Sequence, residues 1–254
     1  MLRGVCFDLW DTLISDPPGV GRARAEERVR RIERALLDGN WGAPREAVQD
    51  AMQATVNTVV AIHQENRDVD ADERIRIFYR HLDPSLRPES DLPAAAQESV
   101  RSAIHDASVY HPPTPLPGAM QALEELQALG LRLALVSNTG LSPGLALRDL
   151  LNQFGMSRFF IAQVYSDELQ SWKPDPRMFD EAVFALGIAK EDVLFVGDTP
   201  EADTLGAQSY GIGLTAHVGK KRVEGVEATL TLDGIYDLVA ALAEAGQISR
   251  EAPK

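Results

Sequence analysis

The sequence predicts an α/β fold in which a parallel sheet carries helices on both faces and an all-helical domain is inserted into the chain. Apolar runs typical of buried strands alternate with amphipathic helical patterns, as expected for repeated strand–helix units. Two proline-rich stretches, residues 16–19 and 111–118, interrupt this alternation. Between them helical periodicity replaces the strand pattern, which predicts a helical domain over residues 16–111 and an α/β core formed by residues 1–15 and 112–254.

Four helices are predicted in the inserted domain from apolar residues at helical spacing. The second begins after Ala43-Pro44, and the fourth covers about residues 93–107. The apolar stripes of the first three are Ala25, Val29, Ile32 and Leu36; Ala47, Met52, Val56, Val59 and Val60; and Ile75, Phe78, Tyr79 and Leu82.

The core segments alternate between strands and helices. The predicted strands are residues 5–7, 131–137, 160–164, 192–197, 211–218 and 228–232. The predicted helices are residues 145–154, 176–186, one that begins near Ala202, and 235–245.

The amino-acid composition favours a globular protein and disfavours nucleic-acid-binding and membrane proteins. With 254 residues and 44% hydrophobic residues, the chain can bury a sizeable core. A net charge of -13 disfavours nonspecific nucleic-acid binding, which requires Lys and Arg to neutralise phosphates. The sole cysteine, Cys6, lies in the first strand, where a small buried hydrophobe is the favoured role. Because no segment has the pattern of a signal peptide or a membrane span, we expect a cytoplasmic protein with no membrane partner.

Polar residues follow three of the predicted strands. Asp8 follows the first, Ser137 and Asn138 end the second, and Asp198 follows the strand at 192–197. Since the carboxyl ends of parallel strands share one edge of a sheet, these residues should line one crevice. A carboxylate at a strand end can be a nucleophile, a metal ligand or both, although it could also only cap the next turn.

Two further segments bring charge to that edge. Lys173 lies in a loop bounded by Pro174 and Pro176, and a lysine there can stabilise negative charge that develops on a reacting group. Asp198 and Asp203 offer hard oxygen ligands of the kind that Mg²⁺ prefers. A solvated lysine and a helix N-cap are the structural alternatives for Lys173 and Asp203.

This ordered set resembles the haloacid dehalogenase-like hydrolase superfamily, whose pattern is an Asp strand, a Ser or Thr strand, a Lys, and a GD-x-x-x-x-D strand end. The matching residues, Asp8, Ser137, Lys173, Asp198 and Asp203, occur in that order between positions 8 and 203. The resemblance implies a Rossmann-like sheet and an inserted helical cap that closes over the catalytic edge and selects substrates. It also implies that Asp8 is both nucleophile and metal ligand, and that Ser137, Asn138 and Lys173 hold the transferred group.

Trp10 departs from the family pattern. Phosphatases of the superfamily usually carry a second Asp two residues after the nucleophile, which protonates the leaving group; here Trp10 occupies that position and Asp11 the next, often a glycine. Because adjacent strand residues point to opposite faces, Asp11 should not take over that role without a local twist. The backbone carbonyl of Trp10 can still ligate a metal, and its side chain can contact substrate.

The dehalogenase branch of the superfamily also has an aromatic residue at this position. Those enzymes resemble metal-independent hydrolases and lack the paired acids of the last motif, whereas this chain keeps Asp198 and Asp203. Retained acids would leave uncompensated negative charge beside Asp8 unless a cation were bound. Metal-dependent phosphoryl transfer therefore ranks above dehalogenation.

The first predicted helix is rich in arginine. Glu26 and Glu27 precede Arg30 and Arg31 by four residues, which is typical of a solvated, salt-bridged face. Arg22 and Arg24 remain candidate substrate contacts. The five histidines show no zinc-site spacing, which favours surface or core roles for them.

The sequence thus predicts a hydrolase that acts with Mg²⁺ on a small, anionic, phosphorylated metabolite. Asp8 attacks phosphorus, and Asp8, Trp10, Asp198 and Asp203 hold the metal. The alternatives are a haloacid dehalogenase that uses the same Asp8, with an Arg of the cap gripping the carboxylate, and a noncatalytic binding protein. The sequence specifies neither the substrate nor the oligomeric state.

Overall fold

The computed structural model describes residues 2–82 and 91–248, so residues 83–90 of the predicted inserted domain and 249–254 of the predicted core lie outside it. In the described part, six strands form one sheet in the order β5-β4-β1-β6-β7-β8, and all neighbouring strands are parallel. The strands of this sheet are β1 (Gly4–Phe7), β4 (Arg132–Ser137), β5 (Phe160–Tyr165), β6 (Val193–Gly197), β7 (Leu214–Val218) and β8 (Leu230–Leu232).

Helices cover both faces of the sheet, as predicted. Val5 and Phe7 of β1 belong to a core cluster with helices α6 (Ala119–Ala128), α7 (Gly144–Gln153) and α11 (Leu238–Glu244). Cys6 points to the opposite face, where α9 (Pro176–Leu186) and α10 (Gly206–Tyr210) pack. The short helix α8 (Ser166–Leu169) follows β5. The α/β fold class is therefore confirmed.

The helices of residues 16–111, here called the helical insert, have a hydrophobic core of their own. It includes Ile32, Val48, Phe78 and Val100, which lie on four different helices. The helices are α1 (Val20–Asp38), α2 (Arg45–His63), α3 (Ala71–His81), α4 (Ala94–His105) and α5 (Ala107–Tyr110). The two chain connections to the sheet pair antiparallel as β2 (Ile14–Ser15) and β3 (Thr114–Pro115). The domain boundaries at residues 15/16 and 111/112 stay a prediction.

Helix α1 corrects one part of the sequence interpretation. Arg24 and Arg28 are buried, whereas Ala25, assigned to the apolar stripe, is exposed. Arg28 Nε donates to the carbonyl of Ile104 on α4 at 2.9 Å. A long aliphatic stem lets an arginine enter a core when its guanidinium meets acceptors there. The prediction of a solvated arginine face is wrong for these two residues, although Glu27 does pair with Arg30 and Arg31 as expected for that face.

Two element boundaries also differ from the prediction. The helix expected near Ala202 begins with a π-helical turn at Pro200–Leu205. The strand expected from residue 211 begins only at Leu214, because Gly211 has a left-handed φ of 98° that ends α10. Among the described residues, no helix combines the length and the apolar character needed to span a bilayer.

Candidate active site

Asp8 lies directly beyond the carboxyl end of β1. Its backbone N–H donates to Val196 on β6 at 2.9 Å, so the pairing with the neighbouring strand continues to this residue. The residue is 6% exposed. Its Oδ1 accepts from Lys173 Nζ at 2.7 Å and its Oδ2 from Thr12 Oγ1 at 3.1 Å. The carboxylate is thus held in one orientation at the sheet edge.

Lys173 is the cation at the centre of the cluster. Its Nζ donates to Asp8 Oδ1 and Asp203 Oδ1, each at 2.7 Å, and to the carbonyl of Val136 at 2.9 Å. Asn138 holds its backbone, since Asn138 Oδ1 accepts from Lys173 N at 2.8 Å and Asn138 Nδ2 donates to Lys173 O at 3.3 Å. The buried ammonium uses all three of its hydrogens and is fixed from both ends of the residue.

Asp198 and Asp203 come together through the turn that follows β6. Asp203 lies in the π-helical turn, and its Oδ2 accepts from Thr199 N at 2.9 Å. A Cβ on Gly197 would collide with the carboxylate of Asp203, so a glycine before Asp198 leaves the space in which that carboxylate sits. Oxygen atoms of Asp8, Asp198 and Asp203 all lie within 4.8 Å of one another. The structure therefore brings these three carboxylates and Lys173 together at one edge; the strand ends predict this for Asp8, Asp198 and Lys173, and the last motif adds Asp203.

Lys221 is a member of this cluster that sequence reasoning missed. It lies in the loop after β7, and its Nζ donates to Asp198 Oδ2 at 2.5 Å. The available signal was a basic stretch, Lys220–Arg222, close behind a strand whose carboxyl end shares the catalytic edge. The stretch resembles an ordinary solvated loop, and only the sheet order puts β7 beside β6.

Burial and charge oppose each other in this cluster. Burial raises the pKa of Asp8 to about 7; the Lys173 charge opposes this shift and the Asp203 charge adds to it. Burial alone would lower the pKa of Lys173, but the carboxylates of Asp203 and Asp8 raise it above its ordinary value. The lysine therefore stays charged, whereas burial makes ionisation of the Asp8 carboxyl less favourable than in water.

The donor set fits a hard divalent cation. Three carboxylates converge on one point, where two ammonium groups, Lys173 and Lys221, leave one negative charge uncompensated when all three acids are ionised. Carboxylate oxygens are the ligands that Mg²⁺ prefers. The residues present thus suit a magnesium ion held by Asp8, Asp198 and Asp203.

A cavity of about 270 Å³ opens onto the cluster and suits a small substrate. Larger clefts of about 570 and 670 Å³ lie elsewhere, beside α6 and between α1 and α4, away from this chemistry. The catalytic cavity is lined by Asp8, Trp10, Asp11, Asn138, Trp172 and Lys221, among others.

Trp10 and Asp11 both line this cavity, which for Asp11 requires the local twist that the sequence predicts to be necessary. Strand β1 ends at Phe7, so strict alternation of side chains no longer applies three residues later. Asp11 has a left-handed φ of 54°, and its N–H donates to the carbonyl of Ile14 at 2.7 Å in a tight turn. This turn supplies the local twist that would let Asp11 reach the site.

The cavity lining does not include Ser137, Arg22 or Arg24. Ser137 is fully buried, and its Oγ donates to the carbonyl of Asn138 at 3.2 Å. Arg22 is exposed on α1. Arg24 lies 5.7 Å from the ring centre of Trp10, but its guanidinium donates to Asp16 and to the carbonyl of His111. Arg24 thereby ties together the two connections of the helical insert.

The helical insert contacts the loops that carry the site through a buried polar network. Arg74 of α3 donates to Asp68 Oδ2 and to Thr139 Oγ1, both at 2.8 Å, and to the carbonyl of Gly140. Ser166 Oγ donates to Asp68 Oδ2 at 2.6 Å, which joins the same network to the end of β5. Arg74 is fully buried and Asp68 is 3% exposed.

A second contact reaches the lysine loop. The ring of His63 stacks on Trp172 with 3.5 Å between centroids, and Trp172 N donates to the carbonyl of Asn66 at 3.1 Å. The insert is thus attached to the residue immediately before Lys173.

Comparison with known proteins matches residues 2–211 to the haloacid dehalogenase-like hydrolases. The chain belongs to this family. A phosphoglycolate phosphatase of Cereibacter sphaeroides is 32% identical to this haloacid dehalogenase-like hydrolase, over 83% of each chain. A glyceraldehyde 3-phosphate phosphatase of Methanopyrus kandleri is 28% identical, over 89% of this chain and 88% of that one.

Among solved structures, a 2-haloacid dehalogenase of Pseudomonas syringae pv. Tomato superposes on this hydrolase with a TM-score of 0.72. The two are 21% identical, over 96% of this chain and all of the other. At that identity the likeness establishes the shared fold. The relatives named as phosphatases support hydrolysis of a small phosphorylated substrate.

Proposed function

We propose that this hydrolase is a Mg²⁺-dependent phosphatase of a small phosphorylated metabolite and that it works through an aspartyl phosphate on Asp8. The observation that carries the proposal is the buried group of Asp8, Asp198 and Asp203 around Lys173, in a chain whose relatives are named phosphatases. Mg²⁺ held by Asp8, Asp198, Asp203 and the carbonyl of Trp10 would neutralise charge on the phosphoryl oxygens.

Asp8 supplies the nucleophile. Its carboxylate forms a bond to phosphorus while the bond from phosphorus to the leaving oxygen breaks, and water then attacks the same phosphorus, releases inorganic phosphate and restores the carboxylate. Lys173 keeps its charge throughout and stabilises the negative charge on Asp8 and on the transferred group. Asn138 orients that group and holds the Lys173 backbone, whereas the buried Ser137 supports Asn138 through the hydrogen bond to its carbonyl.

The helical insert, residues 16–111, serves in this proposal as a cap over the catalytic edge. The buried Arg74–Asp68 network and the stacking of His63 on Trp172 support this role, because both attach the insert to loops of the site. Trp10 lines the substrate space, and Arg22 and Arg24 lie on the helix that follows the first connection.

The test is release of inorganic phosphate from a panel that includes phosphoglycolate and glyceraldehyde 3-phosphate, with Mg²⁺ and with a chelator. Asp8→Asn should abolish turnover, because the amide cannot attack phosphorus, while Asp149→Asn on the exposed surface of α7 is the matched control. Beryllium fluoride, which imitates an aspartyl phosphate, should stabilise the wild type against heat more than Asp8→Asn.

Dehalogenation is the second candidate, favoured by the aromatic residue at position 10. Halide release from haloacids with no phosphate release from the esters would replace the proposal with this one. Equal stabilisation of wild type and Asp8→Asn by beryllium fluoride would contradict a phosphorylated Asp8. If neither phosphate nor halide is released, the protein is a noncatalytic homologue.

A further inference from the structure

A second cavity, of about 300 Å³, lies beside the catalytic one. Its lining includes His217, Lys221, Arg222, Thr204 and Glu227. Lys221 lines both cavities, so the second cavity adjoins the catalytic site on the β7 side. None of the motifs that point to phosphoryl transfer uses His217 or Arg222.

The buried side chain of His217 indicates that this cavity holds a ligand. His217 is 4% exposed, and neither ring nitrogen has a hydrogen-bond partner of standard geometry among the described residues, although the backbone of Lys221 lies near the ring. Buried polar atoms almost always have a partner, because an unsatisfied donor or acceptor costs free energy. The Lys221 backbone can serve only one ring nitrogen, so an imidazole that lines a cavity with its other nitrogen unpartnered indicates that a polar group occupies this cavity.

The other lining side chains define the charge of that group. Arg222 donates from Nη1 to the carbonyls of Gly219 and Lys221 at 2.9 and 2.6 Å, and its Nε and Nη2 donate to no described residue. Lys221, whose Nζ is paired with Asp198 Oδ2, lies between the two cavities as a second cation, and Thr204 adds a buried hydroxyl. Glu227 is the one acid among these residues, and it is exposed at the rim. Several donors and two cations around a buried imidazole suit an oxyanion.

We propose that the His217–Arg222 cavity is an accessory binding site for a phosphate or carboxylate group. Arg222 and Lys221 contribute charge, and His217 and Thr204 contribute directed hydrogen bonds. The group arrives either as a free anion or as a second acidic group of a substrate whose phosphate lies beside Asp8. Only the second source rests on the proposed phosphatase function, and Lys221 lies between the two sites.

The experiment observes the His217 ring directly, by ¹⁵N–¹H correlation spectra of the full chain in the presence of a chelator, so that no turnover is needed. The His217→Gln variant assigns the signal. The probes are inorganic phosphate, phosphoglycolate, which carries a phosphate and a carboxylate, and ethyl phosphate, which carries a phosphate alone. Each is titrated into wild type, Arg222→Gln and Arg45→Gln, the last being a charge-matched control on the exposed surface of α2.

The expected result is a saturable shift of the His217 signal, with affinity reduced about tenfold or more in Arg222→Gln because one charge-assisted hydrogen bond is lost, and unchanged in Arg45→Gln. Saturation by inorganic phosphate identifies a free anion, whereas saturation by phosphoglycolate alone identifies a second group of the substrate. The proposal is overturned if no probe gives a saturable shift, or if Arg222→Gln binds as tightly as the wild type. Because the measurement is binding at His217 without turnover, a negative result here and a failure of Asp8 as a phosphatase nucleophile are distinguishable.

Discussion

At the scale of single residues, the backbone conformation at position 11 restricts which residue types fit there. The φ of 54° at Asp11 is a left-handed conformation that glycine adopts freely and that Asp tolerates better than most residues. The carboxylate accepts from Ser15 Oγ at 2.6 Å, which anchors it within the turn. Asp11 is therefore an anchored acid at the cavity wall, next to a tryptophan whose indole N–H is too weak an acid to serve as a general acid.

The nature of the leaving group should decide the rate of turnover. Because Trp10 cannot protonate a departing alkoxide, acyl and aryl phosphates should be hydrolysed faster than alkyl phosphates by roughly the ~10²–10⁴-fold that a general acid contributes. The measurement is the dependence of rate on leaving-group pKa in the wild type, which should fall steeply as that pKa rises.

A flat dependence would show that another residue supplies the proton. Asp11 would then be the candidate, and Asp11→Asn should convert the flat dependence into a steep one. Asp149→Asn, on the exposed surface, is the control for the loss of one charge.

At the scale of elements, a buried ion pair inside the insert also bonds to the segments that follow β4 and β5, through Thr139 and Ser166. The side chains of Arg74 and Asp68 are both fully buried, and Asp68 also accepts from His63 and Ser166. Burial by itself would raise the pKa of Asp68, but hydrogen bonding from His63 and the Arg74 charge hold it below its ordinary value. Burying two charges costs desolvation free energy, which the pair regains only when all of its hydrogen-bond partners are in place. Removing one charge is therefore more destabilising than the intact pair is stabilising.

Arg74→Met should therefore destabilise the protein by roughly 3–5 kcal/mol, because it leaves the carboxylate of Asp68 buried without its guanidinium partner. The measurement is the free energy of unfolding from urea titration. Arg76→Met, two residues along the same helix and paired with Glu73 at the surface, should cause a much smaller loss. If both variants lose the same stability, the buried network does not hold the insert on the sheet.

At the scale of the whole molecule, buried histidine links folding to pH. His105 is 7% exposed at the end of α4, and its Nε2 lies 3.2 Å from the carbonyl of Ala71. Burial, assisted by the charge of Arg101, lowers the pKa of His105 to about 4 from an ordinary value of 6.5. Between these two pH values His105 binds a proton in the unfolded chain but not in the folded chain. The contribution of the neutral, buried His105 to stability is therefore fully present above pH 6.5 and is lost as the pH falls toward 4.

The wild type should consequently lose about 2 kcal/mol more than His105→Gln between pH 7 and pH 5. Gln cannot take up a proton and can still donate to the Ala71 carbonyl. Urea unfolding at several pH values measures this difference, and His81→Gln on the neighbouring helix is the control. Parallel pH profiles for wild type and His105→Gln would refute the assignment to His105.

Local sequence was enough for the architecture and for much of the catalytic edge. The run Val5–Phe7 before Asp8 and the run Val193–Gly197 before Asp198 specify buried strands, and the carboxyl ends of parallel strands must share an edge. The helix at 176–186 agrees with α9 in both of its ends, because Pro176 begins it and Gly187 ends it in a left-handed conformation. These features depend on residues that are close together in the chain.

Only the tertiary structure decided which side chains, distant in the chain, pair with one another. Lys221 meets Asp198 only because β7 lies next to β6, and Arg74 meets Thr139 only because α3 packs on the loop after β4. The burial of Arg24 and Arg28 is of the same kind, since each donates to a carbonyl more than seventy positions away in the chain, 87 and 76 residues respectively. Periodicity and propensity describe what one segment prefers, whereas the partner of a buried charge is set by whichever segment the completed fold brings against it.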